Sequence, residues 1–163
     1  MPLRKLGAVL GVIALALVAA ASASALGGPR VISLLDVGEQ STSIPPFSET
    51  AAPPVGARLF FTDGLYTWAG TKRGQRIGRL EGTCTITGRP DERSLSAYCT
   101  ASVFVPAGQI LIAGAVRFTE QGAGTSNVAV VGGTGRYSNA RGSGTIRDIG
   151  ATGNSAVVLW LVP

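Results

Sequence analysis

The sequence predicts an all-β fold, an eight-stranded antiparallel β-barrel that follows an N-terminal signal peptide. Runs of β-branched and aromatic residues recur along the chain, separated by Gly, Pro, Asn and Asp. After the first 25 residues, no segment keeps its apolar side chains at helical spacing. The chain has 163 residues, of which only 14% are charged. It is therefore long enough for one small domain and too sparsely charged for a disordered tail.

The first segment has the three parts of a secretory signal peptide. Arg4 and Lys5 give a positive start, residues 6–21 are apolar, and Ala23-Ser24-Ala25 offers a cleavage site of small residues. The apolar stretch is short for a membrane span of about 20 residues. We therefore predict a signal peptide at 1–25 and a barrel domain at 26–163, secreted and free of the membrane after cleavage.

Eight strand-like runs follow in order, joined mostly by short connections that suit antiparallel hairpins. The exception is 40–57, where Pro45, Pro46, Pro53 and Pro54 predict an extended loop. The predicted strands are 31–37, 58–66, 76–87, 96–105, 109–118, 127–131, 144–149 and 155–162.

A closed barrel explains how these strands avoid exposed edges, and about eight strands leave room for packing side chains or one small ligand. The last strand is apolar on both faces. One face carries Val157, Leu159 and Leu161, and the other carries Val158, Trp160 and Val162. We expect one of these faces to fill the barrel and the other to contact another subunit of a homo-oligomer.

The two cysteines flank a polar turn at 88–94. Antiparallel pairing about its middle places Cys84 opposite Cys99, with Cα atoms ~5.5 Å apart, within disulfide range. An exported protein meets an oxidising compartment, so a disulfide is expected. Two free buried thiols are the alternative.

Composition excludes several kinds of site. The chain has no histidine, which removes imidazole catalysis and His-ligated metals, and two cysteines are too few for a Cys-only zinc site. The net charge of +5 falls to +3 (12 basic and 9 acidic side chains) when Arg4 and Lys5 are removed with the signal, and this weak charge is spread along the chain, unlike that of a nucleic-acid binder. Gly132, Gly133 and Gly135 lack the lysine and the following helix of a phosphate loop, so they predict a glycine turn. We expect neither a metal nor a cofactor.

Two carboxylates are candidate catalytic residues, because each interrupts an apolar strand. Burial of Asp36 or Asp63 would be costly without a partner and would raise its pKa toward that of a general acid or base. The alternatives are a capping role for Asp36 and a turn at Asp63-Gly64. Tyr98, a phenolic donor, and Arg141, near the glycine turn, are candidate pocket residues. The alternatives are a core or rim position for the tyrosine and a place in a scattered surface set for the arginine.

Several segments together resemble the dirigent proteins. They are Asp-Gly-Leu-Tyr at 63–66, Arg-Ile-Gly-Arg-Leu-Glu-Gly at 76–82, the glycine loop with its trailing Ala-Arg-Gly at 131–142, and the ending at 153–158. The chain is also similar to the allene oxide cyclases at 62–66, 76–78 and 82–85. The glycine loop is the most specific part, and the two families share one barrel fold.

The resemblance implies a trimer of eight-stranded barrels with an apolar lumen. In dirigent proteins the lumen steers the coupling of phenoxy radicals or releases a quinone methide, and in the cyclases it folds an allene oxide for ring closure. Asp36 matches the first-strand acid of both families, Asp63 matches a dirigent aspartate, and Cys84 matches a pocket cysteine of the cyclases. Gly38 stands where the cyclases have asparagine, and Leu35 where dirigent proteins have histidine.

Two functions follow from these observations. The first is a cofactor-free, secreted enzyme of isomerase or dirigent type that binds a reactive hydrophobic small molecule and steers its cyclisation or coupling. The second is a non-catalytic extracellular barrel that only binds such a molecule. Both use the same fold, and a fold does not fix a function.

Overall fold

The computed structural model describes residues 30–48, 51–68 and 72–162; the predicted signal peptide lies outside these residues. The strands are β1 (Arg30–Ile44), β2 (Arg58–Trp68), β3 (Arg73–Asp91), β4 (Ser94–Val105), β5 (Gly108–Thr119), β6 (Thr125–Gly133), β7 (Arg141–Asp148) and β8 (Asn154–Val162). One turn of 3₁₀-helix, Gly135–Tyr137, stands between β6 and β7. Within the described ranges, no helix has the length and apolar character needed to cross a bilayer.

The eight strands pair in chain order, each antiparallel to the next, and β1 pairs with β8 to close the barrel. The closing ladder runs from Arg30 opposite Leu161 to Val37 opposite Asn154. The predicted eight-stranded antiparallel barrel is therefore confirmed. Because the strands run alternately up and down, the β1–β2, β3–β4, β5–β6 and β7–β8 connections all lie at one end.

The first strand is longer than the sequence predicted. Residues 40–44, assigned to the proline-rich loop, instead continue β1 and pair with 58–62 of β2. The sequence did not predict a strand at 40–44, because these mostly polar residues lack the apolar alternation that marks a buried face. Pro45 ends β1, since a proline cannot donate to the ladder.

Two apolar clusters pack inside the barrel, and a cavity lies between them. In β8, Val157, Leu159 and Leu161 are 0%, 0% and 5% exposed, so the structure identifies theirs as the face that fills the barrel. They belong to the larger cluster, with Leu34, Leu65, Leu80, Val103, Ile110, Ile112, Val128, Val130 and Ala140. The smaller cluster consists of Ala57, Cys84, Ile86 and Ala97.

Candidate functional site

A cavity of about 340 Å³ lies inside the barrel, between the two clusters. Its wall is mainly apolar and includes the aromatic rings of Phe61 and Phe118. The other apolar lining residues are Leu59, Leu80, Cys84, Cys99, Ala101, Ile112, Ala113, Val116, Ala123, Val128 and Ile146. Ala123 and Gly153 belong to the β5–β6 and β7–β8 connections, which places the cavity toward that end of the barrel. The volume is at the small end of the range for ligand pockets.

Asp36 is the most deeply buried acid of this cavity, and the only buried acidic or basic side chain among the described residues. It lies on β1, opposite Leu65 of β2 and Ser155 of β8. The residue is 8% exposed, and its Oδ1 has no hydrogen-bond partner among the described residues. Burial, with a smaller contribution from the negative charge of Asp63, raises the pKa of Asp36 to about 8. Asp36 is therefore mainly protonated at neutral pH.

Asp63 lines the same cavity from the neighbouring strand. It pairs with Gly38, and Asp36 pairs with Leu65, so the two acids are diagonal neighbours on the inner face. Oδ1 of Asp63 accepts a hydrogen bond from the Glu39 amide at 3.3 Å. Burial raises the pKa of Asp63; the Glu39 amide opposes that shift, and the Glu39 carboxylate adds to it.

A β-bulge at Glu39 brings the Glu39 amide within hydrogen-bond distance of Asp63. Gly38 pairs with Asp63 and Gln40 with Thr62, so Glu39 is the extra residue of β1. Its amide reaches Asp63, while its carboxylate forms an ion pair with Arg76 at 3.0 Å. The bulge was not predicted from the sequence, because the residue types around Glu39 do not distinguish a bulged strand from a regular one.

Asp148 is a third acid of the cavity, and the sequence analysis did not find it. Its Oδ2 accepts hydrogen bonds from the amides of Ala123 at 2.8 Å and Gly124 at 3.0 Å. The Ser155 hydroxyl donates to Oδ1 at 3.4 Å. Asp148 thus holds the β5–β6 connection against the end of β7. An aspartate at the end of a strand is too common a feature to have indicated this role.

Cys84 and Cys99 form the predicted disulfide, and their positions on β3 and β4 are directly opposed. Their Cα atoms are 4.0 Å apart, closer than the expected ~5.5 Å and nearer to the spacing of a non-hydrogen-bonded pair. Cys84 lines the cavity, as the resemblance implied, but as half of a disulfide. It supplies no free thiol.

The two other candidate pocket residues do not line the cavity. Tyr98 is 51% exposed, because its neighbours Ala97 and Cys99 face inward and a strand alternates its faces. Arg141 is exposed at the start of β7, where its Nη1 donates to the Ala140 carbonyl at 2.8 Å. For both residues the structure corrects the sequence-based placement.

The predicted glycine turn is only partly a turn, because Gly132 and Gly133 pair with Leu111 and Ile110 of β5 and the turn itself begins after them. Gly132 and Gly133 end β6, and Gly135 has a φ of 60°. A Cβ at Gly135 would lie 2.6 Å from the carbonyl oxygen of Ala107, so a side chain would be strained there and would also clash. Only one 3₁₀ turn follows, rather than the helix that a phosphate loop requires.

The donors for a metal site are not assembled in the described part of the chain. No three acidic or cysteine side chains are grouped there in a way that could hold an ion. What the cavity brings together instead is an apolar wall, a buried protonated acid and two further carboxyl groups. This arrangement can enclose a small molecule, exclude water and exchange a proton with it.

Comparison with known proteins supports this fold. The structure is similar to a pyocyanin demethylase with a TM-score of 0.63 and 24% identity, covering 82% of this chain and 100% of the other. It is similar to AbnU, an exo-specific intermolecular Diels-Alderase (TM-score 0.56, 16% identity, 83% and 98% covered), and to the pterocarpan synthase dirigent protein PsPTS1 (TM-score 0.58, 14% identity, 83% and 94% covered).

No curated protein sequence is detectably similar to this chain. The family model described as "Allene oxide cyclase barrel like domain" matches residues 49–159, well over half of the chain. This match agrees with the closed barrel and with the resemblance seen in the sequence. The chain belongs to the family of allene oxide cyclase barrel-like domains.

Proposed function

We propose that this protein binds a reactive hydrophobic small molecule inside its barrel and steers the cyclisation or coupling of that molecule, with Asp36 as the proton donor and acceptor. One observation carries the proposal. A carboxyl group lies nine-tenths buried in the wall of an apolar cavity, with one oxygen that no group of the described residues satisfies. A group of this kind is expensive to keep without a ligand to bind.

The chemistry follows from the protonation state of Asp36. With a pKa raised to about 8, the carboxylic acid can donate a hydrogen bond or a proton to an oxygen on which negative charge develops. The resulting carboxylate takes the proton back when the new bond has formed. Such a reaction consumes no net proton and needs no cofactor.

Asp63 assists by its charge. A negative carboxylate beside Asp36 favours the protonated acid before reaction, and it opposes premature ionisation. The apolar wall contributes shape, because a ligand held in one conformer near the reactive geometry loses less entropy on the way to the transition state. Asp36 is thus the proposed catalytic residue, and Asp63 tunes it.

The similar structures support this class of function. Their names denote demethylation of pyocyanin, a Diels–Alder reaction and the synthesis of a pterocarpan. All three are transformations of small organic molecules. Since these proteins are less than 25% identical to this chain, they support the use of the barrel for such chemistry without naming the substrate.

The first step of the test is to identify the ligand. Mass spectrometry of the purified protein identifies small molecules that it retains, and those molecules and their analogues become substrates. We expect Asp36→Asn to abolish product formation while ligand binding persists. Glu92→Gln is the control, because it removes an exposed carboxylate on the β3–β4 turn that does not line the cavity. Unchanged turnover in Asp36→Asn would favour a barrel that only binds.

We also propose that the protein acts outside the cytoplasm, on the basis of the predicted signal at 1–25. The disulfide suits an oxidising compartment. Expression of the full chain in a secreting bacterium, followed by N-terminal sequencing, should yield a protein that begins at Leu26 in the exported fraction. Full-length protein in the membrane or cytoplasm would contradict export and cleavage.

A further inference from the structure

The ionisable side chains that line the cavity are all acidic. Asp36, Asp63 and Asp148 contribute carboxyl groups to its wall. None of the described residues that line the cavity is lysine or arginine, and the chain contains no histidine. An anionic ligand entering this space would therefore lose its hydration shell, meet negative charge and find no cation to pair with.

The hydrogen-bonding groups around the cavity are unequally satisfied. Asp148 already accepts two amide hydrogen bonds and one from Ser155, and Asp63 accepts one from Glu39. Asp36 differs, because its Oδ1 is buried in the cavity wall and no residue in the described part of the chain bonds to it. As a mainly protonated acid at neutral pH, it offers a hydrogen-bond donor to whatever occupies the cavity. This orphaned group, and not the acidic cluster alone, points to a ligand.

We propose that the occupant is an uncharged, largely apolar molecule that presents a carbonyl-type oxygen to Asp36, and that the cavity excludes carboxylates and phosphates. This inference rests on the proposed function and names its substrate class. The oxygen accepts the hydrogen bond of Asp36, and the rest of the molecule packs against Phe61, Phe118 and the aliphatic wall. Asp63 and Asp148 reject anions by their charge.

Three probes of one ring system test the proposal on the intact exported protein. They are 1-acetylnaphthalene, which is neutral and has an acceptor; naphthalene, which lacks the acceptor; and 1-naphthoate, which is an anion. Isothermal titration calorimetry at pH 7 should give the ketone at least tenfold tighter binding than the carboxylate. The ketone should also bind more tightly than naphthalene, because only the ketone satisfies Asp36.

Variants separate the two parts of the inference. Asp36→Leu removes the donor and should abolish the advantage of the ketone over naphthalene, whereas Asp36→Asn keeps a donor and should retain it. Asp63→Asn should narrow the gap between ketone and carboxylate, and Glu92→Gln should leave every affinity unchanged. Each comparison is a ratio within one variant, so a general loss of stability does not imitate the effect.

Two outcomes would overturn the inference in different ways. If 1-naphthoate binds as tightly as the ketone, the proposed charge selectivity is wrong, while a ligand-binding barrel still stands. If the ketone has no advantage over naphthalene in the wild type, Asp36 does not select an acceptor. Failure of all three probes to bind would overturn the proposed function itself, and this inference with it.

Discussion

Asp36 couples the stability of the fold to pH, and the sign follows from its raised pKa. The folded chain keeps a proton on Asp36 up to about pH 8, whereas an unfolded chain releases it near the ordinary value of 3.8. Its contribution to stability is therefore complete below about pH 4 and is lost as the pH rises through 8. The raised pKa of Asp63 acts in the same direction.

We predict that the wild-type protein loses stability between pH 5 and 8, at up to about 1.4 kcal/mol per pH unit from Asp36. Asp36→Asn should flatten that slope, because an amide does not titrate. Urea unfolding at several pH values measures it, with Glu92→Gln as the matched control. Parallel slopes for the wild type and Asp36→Asn would show that Asp36 is not protonated in the folded state.

The charge of Asp63 is a second, separable cause of the Asp36 pKa. Asp63→Asn removes the neighbouring negative charge and leaves the burial of Asp36 in place. We predict that the pKa of Asp36 falls, yet stays above its ordinary value of 3.8, because burial is the larger cause. NMR titration of the Asp36 carboxyl carbon in both proteins measures the change. A pKa that is unchanged or higher in the variant would refute the role of Asp63.

The β3–β4 hairpin contains the disulfide, which closes a loop of 15 residues. Such a closure restricts the unfolded chain and is worth about 3 kcal/mol in the chain-entropy model. We predict that the double variant Cys84→Ala/Cys99→Ala unfolds with about that much less free energy. Alanine is chosen because Cys84 is buried among apolar side chains, where a hydroxyl would lack a partner.

Urea unfolding of the oxidised wild type, the reduced wild type and the double variant tests this expectation. The reduced protein and the variant should both be less stable than the oxidised protein. Equal stability of all three would show that the bond adds nothing to the fold. Alkylation followed by mass spectrometry under non-reducing conditions confirms which samples contain the bond.

The number, order and pairing of the strands could be predicted from the sequence, because each strand carries its own apolar pattern and each turn its own Gly, Pro or Asp. The Cys84–Cys99 register followed from the position of one turn. The end of β1 could not be predicted, since its polar residues show no buried face. Residues 40–44 form a strand because they pair with residues 58–62 of β2. Such pairing is a property of the fold rather than of the local sequence.

The acids of the site also divide into two that the sequence could predict and one that it could not. Asp36 and Asp63 could be recognised because each interrupts an apolar run. Asp148 could not, because its importance comes from the β5–β6 connection that it holds, which is 24 to 25 residues away in the chain. Tyr98 was misplaced for a related reason: its orientation depends on which face of β4 turns inward, and Ala97 and Cys99 occupy that face.

The closed barrel leaves an apolar stripe on its outside, along the seam between β1 and β8. Val31 and Trp160 are directly paired across this seam, and Val162 is two residues further along. These three side chains are 57%, 40% and 49% exposed. In an isolated barrel these side chains would be exposed to solvent. Contiguous apolar patches of this kind usually mark a contact.

The resemblance to trimeric barrels remains a prediction, and this stripe is the surface that tests it. We expect the wild type to be a trimer at micromolar concentration, because the stripes of three barrels that meet about a common axis would remove apolar area from water. Trp160→Glu should shift it toward monomer, since a carboxylate would then be buried in the contact. Tyr98→Glu is the matched control, an exposed aromatic on β4, across the barrel from the seam. Light scattering after size exclusion measures the mass, and a wild-type monomer, or dissociation of both variants alike, would contradict a contact at this seam.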